Sequence, residues 1–176
     1  VKYSATTGCR LPHSLKSKIR KSAHLLSPVS PSRLTEELLK IINSGHSYDI
    51  ISAALDTDIF MYLQPAACNL MYESKDFEKK YMLHLKEMDN LVNTNPDARL
   101  GSKLKFMIYD FINSLTDWKK EILTKSAAGE LYTHTWNEVR RFVLPMNPQR
   151  TELEFAIKNA MAELGVGVRL GKKKKK

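Results

Sequence analysis

An amphipathic helix in the second half of the chain restricts the fold more than any other feature of the sequence. Between Ser102 and Leu115, apolar residues recur at spacings of three and four positions, which is the period of an α-helix. The apolar positions are Leu104, Met107, Ile108, Phe111, Ile112 and Leu115. Such a stripe has to be buried against other helices. The pattern therefore predicts a core helix of an all-α domain.

The rest of the chain repeats this organisation. Periodic segments alternate with breaks that contain Pro, Gly, Asn or Ser, as at 27–31, 43–45, 127–129 and 144–148. The core helix itself is expected to start near Ala98 and to extend as far as Leu123. The pattern predicts about eight helices with short connections, and the few strand signals are short and ambiguous. Consecutive helices with short loops favour antiparallel hairpins, either stacked as a small α-solenoid or packed as a compact bundle.

Composition excludes several classes of protein. The chain has 176 residues, of which 43% are apolar, so it fits one domain with a real core. No apolar run approaches the ~20 residues that a membrane span needs. Cys9 and Cys68 lie far apart and form neither a metal-ligand spacing nor a disulfide framework. We therefore expect a reducing intracellular compartment, the cytoplasm, with the nucleus as the alternative.

Basic residues are concentrated at the two ends of the chain. Residues 1–35 contain seven Lys or Arg and no acidic residue, and residues 172–176 are all lysine. Residues 36–171 hold sixteen basic and nineteen acidic side chains, so the formal net charge of +9 resides at the ends. Basic ends on a mildly acidic body predict contact with phosphate that is sequence-blind and sensitive to salt. A nuclear localisation signal, an artificial lysine extension and the remnant of a transit peptide are the alternatives.

These observations predict three segments and a set of RNA-binding side chains. Residues 1–13 are expected to form a basic flexible arm, 14–165 a helical-repeat domain, and 166–176 a basic tail rich in Gly and Lys. Trp136 could offer a stacking surface beside the arginines that follow it. The candidate RNA-binding residues are Lys16, Lys18, Arg20, Lys21, Arg140, Arg141, Lys172, Lys173 and Lys174.

The search for catalytic chemistry gives no candidate. The seven glycines form no phosphate-binding loop, and the five histidines have no partner at metal-ligand spacing. Carboxylate pairs such as Asp56 with Asp58 are explained as helix caps and first-turn charges. We therefore expect no enzyme activity, no metal, no cofactor and no small-molecule substrate.

One segment resembles a known family. This segment runs from Lys103 to Trp118. Two lysines flank a leucine at its start, and Phe-Met and an aliphatic residue follow. Asp110 then precedes an apolar pair, and Trp118 comes about two helical turns later. The residues from Asp76 to Asp89, which precede this segment, fit the same resemblance. Together these residues, a quarter of the chain, are similar to the closing helices of the middle domain of eukaryotic translation initiation factor 4G.

The resemblance implies a fold, a partner and a set of contact residues. It implies a HEAT-repeat scaffold that acts in protein biosynthesis by binding a DEAD-box RNA helicase and RNA during translation initiation. Trp118 fits either the buried stripe or the edge of the domain that contacts the partner. The lysines implied as partner contacts could instead form an ordinary solvated face. The implied partner-binding residues are Lys103, Lys105, Trp118, Lys119 and Lys120.

Two other functions stay open. The basic ends are also typical of a structural helical subunit bound to RNA in a ribosomal or other ribonucleoprotein particle. The ending from Ala156 to Val166 is weakly similar to the last helix of domains found in endosomal sorting adaptors. This second similarity would imply a trafficking adaptor that binds short peptides.

Overall fold

The computed structural model describes residues 1–118 and 125–167, and these residues form ten α-helices, one 3₁₀ helix and no strand. The α-helices are α1 (Lys2–Thr6), α2 (His13–Ser22), α3 (Pro31–Ile42), α4 (Ser47–Leu55), α5 (Phe60–Leu63), α6 (Pro65–Glu73), α7 (Lys75–Thr94), α8 (Leu100–Ser114), α9 (Lys125–Phe142) and α10 (Arg150–Glu163). The 3₁₀ helix (Ala23–Leu26) continues α2. The prediction of an all-α fold is confirmed.

The predicted core helix is α8, which packs against both α7 and α10. The side chains that point inward on it are Leu104, Met107, Ile108 and Ile112. Phe111 lies at the edge of the stripe and stacks on Phe142 of α9, with ring centroids 4.2 Å apart. The spacing of the apolar residues thus identified the buried face of this helix correctly.

A glycine allows α8 and α10 to approach closely. A Cβ atom at Gly101 would lie 2.7 Å from the carbonyl oxygen of Glu152 and 2.8 Å from a ring carbon of Phe155. The Gly101 N–H donates to the Glu152 carboxylate at 2.7 Å, and Arg99 pairs with the same carboxylate. Only a residue without a side chain fits at this crossing.

Helix starts follow the signals that the sequence carries. Ser30 caps α3 and Ser74 caps α7, since each side chain accepts a hydrogen bond from the backbone N–H three residues on. Pro31 and Pro65 stand at the first helical positions, where the missing N–H costs nothing. Gly45 adopts a φ of +69° just after α3 and its polar break.

Three helix boundaries differ from the prediction. α1 lies within the segment predicted to be a flexible arm and packs against α4. α9 begins at Lys125 and runs through the predicted break at 127–129, because packing of Val139 and Phe142 outweighs the ~1 kcal/mol that Gly129 costs in a helix. α8 ends at Ser114 rather than continuing beyond residue 118, and 119–124 lie outside the described residues. The division into arm, domain and tail stays a prediction.

Two further properties of the described residues concern membrane spans and cysteines. Across 1–118 and 125–167, no helix has both the length and the apolar content to cross a membrane. Both cysteines are free: Cys9 is exposed, whereas Cys68 is buried. Burial raises the pKa of the Cys68 thiol, so this side chain behaves as a packed apolar group.

Candidate nucleic-acid interface

Helix α2 is the most exposed long element near the start of the chain. Its ten residues include four Lys or Arg and no acidic residue, and none of the ten is buried. A helix with no buried residue gains little from packing, so polar contacts must hold it in place. The sequence from His13 to Ser22 is therefore a basic rod on the surface of the domain.

Two of the four cations fix α2 to the end of α4. The Lys16 ammonium lies 2.8 Å from the Asp56 carboxylate, and the Arg20 guanidinium lies 3.4 Å from that of Asp58. Arg20 also donates to the backbone carbonyl of Asp56. Positive charge is favoured at this helix C-terminus by the helix dipole. We predicted both Lys16 and Arg20 as RNA-binding residues, and the structure shows that they also have this positioning role.

The other two cations of α2 face away from the domain. Lys18 and Lys21 are three residues apart and lie on the side of the helix opposite Lys16. Both are exposed, and neither has an ion-pair partner among the described residues. Arg10, just before α2, is exposed as well, but it lines a cleft with Lys16 and Asp56 on the other side of the helix. The outward pair of Lys18 and Lys21 is open to an anion from solvent.

A buried carboxylate positions α4 from its other end. Asp89 of α7, only 8% exposed, accepts hydrogen bonds from the backbone N–H groups of Ser47 (2.7 Å) and Tyr48 (2.9 Å). These are orphan donors of the first turn of α4, which has no cap from its own segment. The chain of contacts Asp89–α4–Asp56–α2 therefore links the core to the basic rod. No local pattern marks this cap, because Asp89 lies 42 and 41 residues from the two N–H groups that it accepts from.

A histidine–carboxylate pair joins α7 to α8. The His84 Nδ1 atom lies 2.7 Å from Asp110, whose side chain is 4% exposed. The hydrogen bond that the imidazole donates to the Asp110 carboxylate raises the pKa of His84 despite the opposing effect of burial. Two aromatic rings lie beside the imidazole: the ring centroid of Tyr109 is 5.1 Å and that of Phe106 is 6.4 Å from the imidazole centroid.

The second predicted RNA-binding group lies at the end of α9. Arg140 and Arg141 are exposed; Arg141 pairs with Glu138 at 2.8 Å, and Arg140 has no ion-pair partner in the described part of the chain. They line a cleft between α9 and α10 that shares no lining residue with the cleft that includes Lys16 of α2. The structure therefore places the predicted RNA-binding residues in two separate groups. Lys172, Lys173 and Lys174 lie outside the described residues.

Two of the five residues predicted to bind a protein partner are internal. Lys103 is 4% exposed, and its ammonium donates to Asn43 at 2.7 Å and to the Pro96 carbonyl at 3.2 Å. Trp118 is buried, and its indole N–H donates to the Ile112 carbonyl at 3.0 Å. These contacts give both side chains a structural role.

Of the remaining three residues of that group, only Lys105 is among the described residues. Lys105 is half-buried and pairs with Glu163 at 2.5 Å. Lys119 and Lys120 lie outside the described residues. Partner binding at these positions therefore stays a prediction. Among the described residues, no group of three or more His, Cys, Asp and Glu is arranged to hold a metal ion.

The fold and the exposed basic helix define a class: an all-α domain with a surface suited to nucleic acid. Residues 10–71, which include α2 to α5 and most of α6, match a family described as "Probable RNA and SrmB-binding site of polymerase A". The match covers about a third of the chain and supports RNA binding.

The similar proteins are named polymerases. Poly(A) polymerase I of Escherichia coli O6:H1 (strain CFT073) is 26% identical over 108 residues, which is 60% of this chain and 23% of the relative. Poly(A) polymerase I of Escherichia coli O157:H7 matches with the same identity and coverage. The chain thus spans about a quarter of the length of these curated relatives. No solved structure matches the chain significantly.

These findings correct the resemblance to initiation factor 4G, which was wrong. The matching family and the curated relatives point to poly(A) polymerase and its RNA-binding region. The HEAT-repeat fold, the role in translation initiation and the DEAD-box helicase partner depended on that resemblance and have no support. The error has a physical origin: the residues from Asp76 to Trp118 are mainly a core pattern, and many helical domains bury a similar stripe.

Proposed function

We propose that this chain binds single-stranded RNA through the outward pair of Lys18 and Lys21 on α2. The observation that carries the proposal is the coincidence of two facts. The segment that matches the RNA-binding family, 10–71, contains α2, and α2 presents two exposed lysines without ion-pair partners among the described residues. Phosphate contacts by Lys and Arg supply most of the affinity in binding that does not depend on sequence.

The position of α2 suits it to this role. Lys16 and Arg20 neutralise Asp56 and Asp58, so the carboxylates nearest the rod do not repel a phosphate backbone. The same ion pairs orient Lys18 and Lys21 towards solvent. RNA binding agrees better with the alternative of an RNA-bound helical subunit than with a helicase scaffold. The relatives' name suggests polyadenylation as its setting, in which this chain would hold RNA for a polymerase.

The test is RNA affinity measured by fluorescence anisotropy over a range of salt concentrations. Each phosphate contact to a single strand contributes about −0.7 to the slope of log K against log salt, so the double variant Lys18→Gln/Lys21→Gln should make this negative slope less steep by about 1.4. The matched control is Lys75→Gln/Lys79→Gln, which removes the same charge from exposed positions of α7. An unchanged slope in the first variant, or equal losses in both, would refute the assignment of the surface.

A second assay separates RNA binding from polymerase activity. We propose that the chain contributes binding only, because the family match falls on a binding site and the relatives are matched over less than a quarter of their length. Incubation with RNA and ATP should give a complex without extension of the RNA 3′ end. Extension by the purified chain would show that it is an enzyme in its own right.

A further inference from the structure

A cleft between α9 and α10 combines positive charge with an aromatic ring. It measures about 540 Å³, within the ~300–1,000 Å³ usual for small-molecule sites. Three arginines line it, namely Arg140, Arg141 and Arg150, and no Asp or Glu is among its lining residues. Its floor is apolar, formed by the buried side chains of Val143, Met146 and Leu153. The cleft lies outside the segment that matches the RNA-binding family.

The ring in this cleft is available to a flat ligand. Trp136 is half-buried, and the guanidinium of Arg150 lies 5.6 Å from its ring centroid. This distance is near the outer limit of about 6 Å for a cation–π contact, so the pair is loose. A planar base can stack on the indole and on the guanidinium plane at little cost.

The arginines are available to a phosphate. Arg140 has no ion-pair partner among the described residues, whereas Arg141 and Arg150 each pair with a glutamate at 2.8 Å, Glu138 and Glu154 respectively. Both of those arginines are more than 70% exposed, and exposed ion pairs contribute only about 0–1 kcal/mol. A phosphate, which accepts paired hydrogen bonds from a guanidinium, can replace such a carboxylate.

From this juxtaposition of Trp136 with Arg140, Arg141 and Arg150 we infer a second binding site, which takes one nucleotide of a single-stranded RNA. The base stacks on Trp136 and the 5′-phosphate contacts the arginines. The inference rests on the proposed RNA binding for its biological ligand, but it concerns a different surface from α2. A strand held at both surfaces would gain affinity from the linkage of two weak contacts.

The test uses tryptophan fluorescence of the full chain titrated with adenosine 5′-monophosphate and, separately, with ribose 5-phosphate. The nucleotide should quench the emission of Trp136, and the base-free sugar phosphate should bind about tenfold or more weakly because it cannot stack. Trp118 is buried and serves as the internal background. Trp136→Leu should remove the quenching, and Trp136→Tyr, which keeps a ring, should retain nucleotide affinity measured by competition with a fluorescent nucleotide.

Charge variants complete the design. Arg140→Gln should weaken nucleotide binding by about tenfold, because it removes a charge-assisted phosphate contact and breaks no ion pair of the described residues. Lys79→Gln, an exposed position outside the cleft, should have no effect.

Each outcome separates the two proposals. Equal affinity for the nucleotide and the sugar phosphate would overturn the inference in favour of a plain anion site. No quenching in a chain that binds RNA would also overturn it, while leaving α2 as the binding surface. Quenching by the nucleotide in a chain that does not bind RNA would support the cleft and refute the proposed function.

Discussion

Replacing Asp89 by alanine should destabilise the domain more than any exposed substitution. The carboxylate accepts two hydrogen bonds from backbone N–H groups at the start of α4, and the Ser47 side of this contact is fully buried. Hydrogen bonds to a charged group contribute about 1.5–3 kcal/mol each, and loss of an ordinary N-cap costs about 0.5–2 kcal/mol. Some water will reach the freed donors, so we expect a loss of about 2–4 kcal/mol.

The assay is urea unfolding followed by fluorescence, with thermal unfolding as a second measure. For a chain of this size each kcal/mol shifts Tm by about 2–4 °C, so Asp89→Ala should lower Tm by roughly 4–16 °C. Asp89→Asn keeps one acceptor oxygen and should lose about half as much. The control is Asp97→Ala in the exposed α7–α8 connection, which should change the free energy of unfolding by less than ~0.5 kcal/mol.

The result that would refute this reasoning is a loss for Asp89→Ala no larger than that for Asp97→Ala. Such equality would mean that the α4 donors find other acceptors at no cost. It would also remove the link from the core through α4 to α2, and the positioning of the basic rod would then need another explanation.

Three further outcomes are expected. Gly101→Ala should lower the free energy of unfolding by about 1–3 kcal/mol in urea, because the added Cβ meets the backbone of α10. Gly129→Ala, where the added Cβ enters open space within α9, should raise it by about 0.5–1 kcal/mol. Equal effects of the two substitutions would contradict the close crossing at Gly101. Folding raises the pKa of His84. The stability that the His84–Asp110 pair contributes is therefore full below the ordinary histidine pKa of about 6.5 and is lost as pH rises through the raised pKa of the folded state. If the difference in unfolding free energy between the wild type and His84→Gln grew with pH, this account would be contradicted. Lys103→Glu should abolish folding, seen by circular dichroism, because it puts a carboxylate beside two acceptor oxygens; a folded variant would show that the site is not internal.

The helices of this domain could be predicted from the sequence because their signals are local. The apolar stripe from Leu104 to Ile112 and the prolines at the starts of α3 and α6 each act within a few residues. α1 was missed because five residues carry too little periodicity to show it.

The site depended on contacts between distant residues, which local patterns do not report. Asp56 and Asp58 were interpreted as helix caps, yet they bind Lys16 and Arg20 from 36 to 40 positions away. Lys103 was predicted to be on the surface because lysine usually is, and only the fold shows that it points at Asn43. The composition of the first 35 residues predicts phosphate contact, since net charge determines long-range attraction whatever the fold, and this contact stays a prediction.

The most direct test of the central claim is mapping of amide chemical shifts on addition of single-stranded RNA to the isotope-labelled chain. If RNA binds through α2, the largest changes should fall within His13–Ser22, centred on Lys18 and Lys21, and should fade as salt is raised. RNA that binds the chain while leaving the α2 amides unmoved would contradict the proposal.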